Sequence, residues 1–338
     1  AMFKAPLGDD VFADDPSVNA LQEHAAELLG FEAALFAPSG TQTNLIALWG
    51  HCQRGDEAIV GQSWHTYRWE AGGMAVLGSI QPQPVETQPD GTLRLADIAA
   101  AIKPDDPHFA RTRLVVLENT TGGQVLPPEY VAEVAQLARQ RGLALHLDGA
   151  RLFNAATANA ARRGTDVYQE ARELCSHFDS VSVCLSKGLG APVGSLVLGS
   201  AAFIRQARRT RKILGGGMRQ AGVLAAAGHY ALQHHVRRLA EDHANLHTLA
   251  SGLRAVGENH PVLRGRITVH PWQTNILFTD VQADVAPAFT AWLAQHQIRV
   301  TSSLYGGQSR LRWVTHLDVN AADVQAALDC VARFTLPG

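Results

Sequence analysis

The chain has few cysteines, almost no net charge and no long apolar run, and each shortage excludes something. Its 338 residues include four cysteines, Cys52, Cys175, Cys184 and Cys330, with no C-x-x-C spacing among them, so neither a disulfide framework nor a thiolate zinc site is expected. Cys184 sits inside an apolar stretch, where a free thiol behaves as a small hydrophobe, and a reducing, cytoplasmic setting is the expectation. The net charge is -2 with both signs interspersed, which gives no field to recruit nucleic acid or an anionic membrane. No segment approaches the roughly 20 apolar residues needed to span a bilayer, and no signal peptide, internal repeat or low-complexity tract is read. Small molecules and further copies of the chain remain as partners. Hydrophobic residues make up 46% and charged residues 18%, enough for a large core and more than one folding unit.

Two apolar runs end in charge about 40 residues apart. The first is Leu143-Ala144-Leu145-His146-Leu147-Asp148-Gly149-Ala150-Arg151, and the second is Val181-Ser182-Val183-Cys184-Leu185-Ser186-Lys187-Gly188. An apolar strand ending in a charge puts that charge at the edge of its sheet. One acidic end beside one carrying a primary amine suits pyridoxal 5'-phosphate, whose aldehyde condenses with a lysine and whose pyridinium nitrogen needs a carboxylate. The small residues after Lys187 let a planar ligand approach the backbone. They do not form a dinucleotide motif, because Gly188, Gly190 and Gly194 are spaced one residue too widely for G-x-G-x-x-G.

Apolar runs alternate with helical periodicity from about residue 18 to 213. Strands are predicted over 33–37, 58–61, 113–118, 143–147, 180–185 and 194–198, and helices over 18–29, 45–52 and 129–141. This alternation implies an α/β fold with a mainly parallel sheet, whose ligands bind at the carboxyl ends of the strands. A continuous helical pattern over 218–256 reads as a spine between a large domain (1–217) and a smaller C-terminal domain (257–338). The smaller domain has strand candidates at 274–278, 298–301 and 310–314 and helices at 285–296 and 321–334.

Other candidates cluster around the same chemistry. Pro38-Ser39-Gly40-Thr41-Gln42-Thr43-Asn44 follows a strand and opens a helix, so backbone N–H groups and the helix dipole converge where an anion would sit, with hydroxyls from Ser39 and Thr41. Alone it is a helix cap; with Lys187 it is a phosphate seat. Gly215-Gly216-Gly217-Met218-Arg219 is either a hinge or a close approach that brings Arg219 to a phosphate. His65, within Gly61-Gln62-Ser63-Trp64-His65-Thr66-Tyr67-Arg68-Trp69-Glu70, is either structural or an imidazole that stacks on the pyridine ring and moves protons. Arg312, in an otherwise apolar strand, calls for a buried anion. His243 and His247 share a helix face, but Glu241, Asp242 and Asn245 beside them indicate a solvated surface, not a metal site.

Taken in order, several segments resemble the low-specificity L-threonine aldolases, fold-type-I pyridoxal-phosphate enzymes of the aspartate-aminotransferase-like fold. They are Gly8-Asp9-Asp10-Val11-Phe12-Ala13-Asp14-Asp15-Pro16, the 38–44 and 65–73 stretches, Glu118-Asn119-Thr120, Asp148-Gly149-Ala150-Arg151, Leu185-Ser186-Lys187-Gly188-Leu189-Gly190, the 215–220 run and Arg312-Trp313-Val314-Thr315-His316. The resemblance implies that Lys187 holds the cofactor, Asp148 its ring nitrogen, and Gly40 and Thr41 its phosphate, joined by Arg219 from a neighbouring subunit. It assigns Arg151 and Arg312 to the substrate carboxylate and His65 to ring stacking and proton transfer. It implies a homo-oligomer, dimeric or tetrameric with shared sites and a homotetramer as the expectation, that cleaves L-threonine or L-allo-threonine to glycine and an aldehyde. A β-eliminating lyase, an aminotransferase or an impaired cofactor-binding protein would share the same apparatus.

Three departures qualify the resemblance. The family's opening Arg-Ser-Asp-Thr segment is absent, and a truncated start is the expectation. Phe12 stands where the family often has tyrosine. Thr121 stands where it usually has a histidine close to the substrate's hydroxyl, so this position should bear on base identity and on the choice between threonine diastereomers.

Overall fold

The computed structural model describes residues 1–302 and 309–336, which divide into two compact units. The first takes in residues 1–121 and 125–237, and the second 122–124 and 238–338.

The first unit is built on seven strands: β1 (Ala33–Ala37), β2 (Glu57–Gly61), β3 (Gln81–Val85), β4 (Thr112–Glu118), β5 (Ala144–Gly149), β6 (Ser180–Cys184) and β7 (Ser195–Gly199). Their order across the sheet is β1-β7-β6-β5-β4-β2-β3. β7 alone runs against the rest, pairing antiparallel with both β6 and β1. β6 and β7 are buried along their whole lengths; β7 accordingly reads as a near-continuous apolar run, whereas β6 alternates the buried Ser180 and Ser182 with Val181 and Val183 although both of its faces are covered. The helix Gly40–His51 lies against the sheet, with Leu48 packed near Val60 and Val116 and Ile46 near Leu35 and Val197.

The β6–β7 pairing makes the segment after Lys187 the loop of a hairpin. Leu185 donates its N–H to the Gly194 carbonyl at 3.0 Å, and inside the loop Gly190 donates to the Lys187 carbonyl at 3.0 Å. At the other end of the sheet, β3 was not anticipated from sequence because its Gln81-Pro82-Gln83-Pro84-Val85 contains two prolines. It is an edge strand, where missing N–H donors are tolerated.

The second unit holds a four-stranded antiparallel sheet in the order β10-β11-β9-β8, formed by β8 (Ile267–Val269), β9 (Ile276–Val281), β10 (Thr301–Ser302) and β11 (Arg310–Val314). Its core gathers Leu253, Leu277, Phe289, Leu311 and Trp313. Three expectations change here. The spine read over 218–256 is two helices, Gly222–His234 and Leu239–Asn259, interrupted by a turn at 235–238. Asp242 is fully buried and receives the Arg238 guanidinium at 2.8 Å, so that stretch is not uniformly solvated, and burial lowers the neighbouring His243 to about 4. Finally, β11 alternates: Leu311 and Trp313 enter the core while Arg310 and Arg312 occupy the other, partly exposed face. Arg312 is therefore not a charge inside an apolar core; it stands opposite Phe278 on β9 and Thr301 on β10.

Candidate active site

Parallel pairing brings the site's acids level with one another. Glu118, the last residue of β4, is in register with Asp148 on β5, and Asp148 with Ser182 on β6. Asp148 is 1% exposed. Its Oδ1 accepts from the Ala150 backbone N–H at 3.1 Å and its Oδ2 from Asn44 Nδ2 at 2.8 Å. Asn44 sits in the second turn of the helix Gly40–His51, whose N-terminal cap is Ser39, with its side chain accepting from Gln42 N at 3.2 Å. The same helix is pinned to β7 by a 3.0 Å hydrogen bond between the Thr43 and Ser195 hydroxyls.

His65 opens the short helix His65–Arg68 just beyond β2. Its Nδ1 lies 2.8 Å from Glu70 Oε1, and its side chain is 39% exposed whereas that of Glu70 is 3% exposed. The backbone N–H of His65 donates to Glu118 Oε2 at 2.5 Å. The hydrogen bond to Glu70 is the chief reason the His65 pKa lies above that of an ordinary histidine, partly opposed by burial. The Glu70 carboxyl is itself pushed up, first by burial and further by the Asp148 charge. Glu118 is raised to about 8 by removal from water together with the Asp148 charge. The charge of Lys187 opposes both effects, lowering His65 and Glu118.

Below the acids, His146 and His51 are held neutral by burial, lowered to about 3 and about 4. They meet at Ser180, whose hydroxyl is 2.8 Å from His146 Nδ1 and 2.7 Å from His51 Nε2.

The remaining sequence candidates are distributed as follows. Ser39 and Thr41 are exposed, and a Cβ at Gly40 would meet nothing within 4 Å, so the mouth of this helix is open. Arg151 immediately precedes the helix Leu152–Arg163, three residues beyond Asp148. Thr121 donates its hydroxyl to the Glu118 carbonyl at 3.0 Å. Arg219 is exposed and paired with Asp9 at 2.8 Å, its guanidinium 5.8 Å from the Phe12 ring centre. In the glycine run the close approach is to Gln42, whose side chain fills the space a Cβ on Gly216 would need. Arg312 belongs to the second unit. Asn44, Glu70 and Glu118 were not singled out from sequence although all three lie in segments already marked. Asn44 and its partner Asp148 are 104 residues apart, and only the folded sheet relates them.

This donor set fits pyridoxal 5'-phosphate. An open helix N-terminus with two hydroxyls suits a phosphate, a carboxylate held at a strand end suits a pyridinium nitrogen, and an amine in the loop just past β6, whose charge is felt by the same acids, suits the aldehyde.

A family model described as beta-eliminating lyase matches residues 1–284. The chain is 52% identical over 320 residues to the low specificity L-threonine aldolase of Escherichia coli (strain K12), an alignment covering 95% of this chain and 90% of that protein. It is 42% identical over 347 residues to low-specificity L-threonine aldolase 1 of Arabidopsis thaliana, covering 99% and 92%. Among solved structures, the threonine aldolase of Leishmania major has the same fold, with a TM-score of 0.77 at 23% identity over 95% of this chain and 90% of that one. Motifs, fold and relatives converge: the chain belongs to the beta-eliminating lyase family and, within it, to the low-specificity L-threonine aldolases, which depend on pyridoxal 5'-phosphate.

Proposed function

We propose that the protein cleaves L-threonine, L-allo-threonine and related β-hydroxy-α-amino acids to glycine and an aldehyde. The observation that carries this is the cluster of His65, Glu70 and Asp148, with Glu118 level with Asp148 at the carboxyl end of β4 and the charge of Lys187 felt by both His65 and Glu118. When bound, pyridoxal phosphate supplies an electron-withdrawing pyridinium that takes up the electron pair of the broken Cα–Cβ bond.

The chain's own groups do the rest. Lys187 would hold the cofactor through its aldehyde carbon. Asp148 presents its carboxylate to the ring nitrogen. Ser39, Gly40 and Thr41 take the phosphate at the helix N-terminus, where the dipole favours negative charge, and Arg219 of a second copy is assigned to the same phosphate. Arg151 and Arg312 are assigned to the substrate carboxylate, a task that suits a forked guanidinium. His65 has committed Nδ1 to Glu70, which leaves Nε2 to take the proton of the β-hydroxyl. Thr121 is a poor base, and its hydroxyl is occupied by the Glu118 carbonyl.

Two features support a cytoplasmic homo-oligomer, dimeric or tetrameric. All four cysteines are buried and free, and Phe3, Phe12, Val76 and Ile213 are apolar side chains left exposed in the single chain. Among the described residues no helix is long and apolar enough to cross a membrane.

Product analysis tests the reading. Threonine should yield acetaldehyde and glycine in equal amounts; pyruvate from serine, or a keto acid, as the main product would overturn it. Lys187→Ala should lose the visible absorbance of the lysine-bound cofactor and nearly all cleavage. If borohydride still fixes the cofactor to that variant, another lysine carries it.

A further inference from the structure

Glu70 and Asp148 are two buried carboxyls; one oxygen of each and a ring nitrogen of His65 lie within 4.8 Å of one another. Like charges at that separation oppose each other's ionisation and favour a single shared proton. What stands between them is the side-chain amide of Asn44, itself 2% exposed. Its Nδ2 is 2.8 Å from Glu70 Oε1 and 2.8 Å from Asp148 Oδ2. A primary amide has two N–H bonds, so each carboxylate receives one. The orientation of the amide follows, because its oxygen cannot face two acceptors, and Asn44 Oδ1 instead lies 3.5 Å from His146 Nε2. A metal ion is a poor occupant of this gap, since the two N–H dipoles already point at the oxygens it would need.

We propose that Asn44 is a positioning residue: by giving one amide proton to each carboxylate it holds Asp148 on the ring-nitrogen position and Glu70 on His65, and it keeps the two acids from sharing one proton. The proposal rests on the cofactor and proton-transfer roles assigned above to Asp148 and His65. It also joins the phosphate seat to the acids, since Asn44 is one turn from Gly40 on a single helix. The titratable groups near His65 are Glu70 from its own segment, Glu118 from β4, Asp148 from β5 and Lys187 from the β6–β7 loop. If the amide is removed, one of the two acids is neutralised by the shared proton, and His65 loses part of the negative charge that raises its pKa.

The test is Asn44→Ser, a side chain with one donor in place of two. In the apoprotein, histidine NMR should show the His65 pKa falling by about one unit or more. In the holoenzyme, cofactor affinity should weaken about tenfold, roughly the loss of one charge-assisted hydrogen bond. The double variant Asn44→Ser/Glu70→Gln has only one acid to hold, and its cofactor affinity should return to within a few fold of Glu70→Gln alone. An unchanged His65 pKa in Asn44→Ser overturns the proposal, and because no cofactor is present in that measurement, the result is independent of the cofactor assignment. So does a double variant as weak as the single one. Should Asn44→Ser fail to fold, the double variant must fold; failure of both marks Asn44 as a packing residue and overturns the proposal as well.

Discussion

His65 gives its Nδ1 to the Glu70 carboxylate, and that bond sets the pH at which the imidazole can work. A base must be neutral to accept a proton. Because the folded pKa of His65 is raised above the ordinary value of about 6.5, the imidazolium persists to higher pH, and kcat/KM should fall as pH drops through that raised value. Glu70→Gln keeps hydrogen-bonding atoms but removes the charge, so it should move this acid limb down by about one unit; an unmoved limb would mean that His65 is not the base. Thr121 bears on selectivity. It is smaller than histidine and tied to the Glu118 carbonyl, so it offers few contacts that tell one β-configuration from the other, and one lost contact is worth only about 1 to 3 kcal/mol of discrimination. Threonine and allo-threonine should both be cleaved, with phenylserine accommodated. Thr121→His should change the ratio of kcat/KM values between the diastereomers, and a strict native preference left unaltered by the substitution would remove Thr121 from the substrate's surroundings. Positions such as Asp148 and Lys187 were legible in the sequence because each ends an apolar run. Asn44, Glu70 and Glu118 were not, since nothing in a linear sequence states that the end of β4 is level with the end of β5.

Asp15 shows how elements are joined with little material. Its Oδ1 caps the helix Pro16–Leu29 by accepting from Ser17 N and Val18 N, and its Oδ2 accepts from Gly8 N at 3.2 Å and from Gly222 N at 2.9 Å, at the head of the helix Gly222–His234. The carboxylate occupies the space a Cβ on Gly222 would need. Gly222→Ala should therefore push the carboxylate off both helices and destabilise the protein by about 2 kcal/mol, the scale of a lost cap and a stranded buried donor. Thermal unfolding of the apoprotein checks this, and a midpoint within error of the native one would mean the junction yields without cost. Elements with one strong period were readable from sequence, as β1, β2, β4 and β5 were to within a residue or two at each end. The interrupted helix was not, because residues 222–259 are rich in alanine and leucine on both sides of the turn and the period continues through it. In β11 the alternation is visible in Arg310-Leu311-Arg312-Trp313-Val314, so the strand is not otherwise apolar: Arg310 and Arg312 share the partly exposed face.

At the scale of the whole molecule, the family match runs through residue 284 and so covers all of the first unit and part of the second. The mainly parallel sheet was legible from the alternation of strands and helices; the reversal of β7 was not, because a buried antiparallel strand and a buried parallel one have the same composition. That reversal has a consequence in time. In the large sheet β6 and β7 are neighbours joined by a loop of only ten residues, 185–194, whereas β1 and β7 are separated by about 160 residues and every parallel pair needs a crossover. Closing a short loop costs the least chain entropy, so this hairpin should pair first during refolding and the rest of the sheet should add to it. Val183→Ala, opposite Leu196 in the hairpin, should then mainly slow refolding, while Val115→Ala in β4 should mainly speed unfolding; the reverse pattern would place the nucleus elsewhere. On this order of events the turn that carries Lys187 acquires its shape before the ends of β4 and β5 have been laid down, and the proposed site is assembled around a lysine already in place.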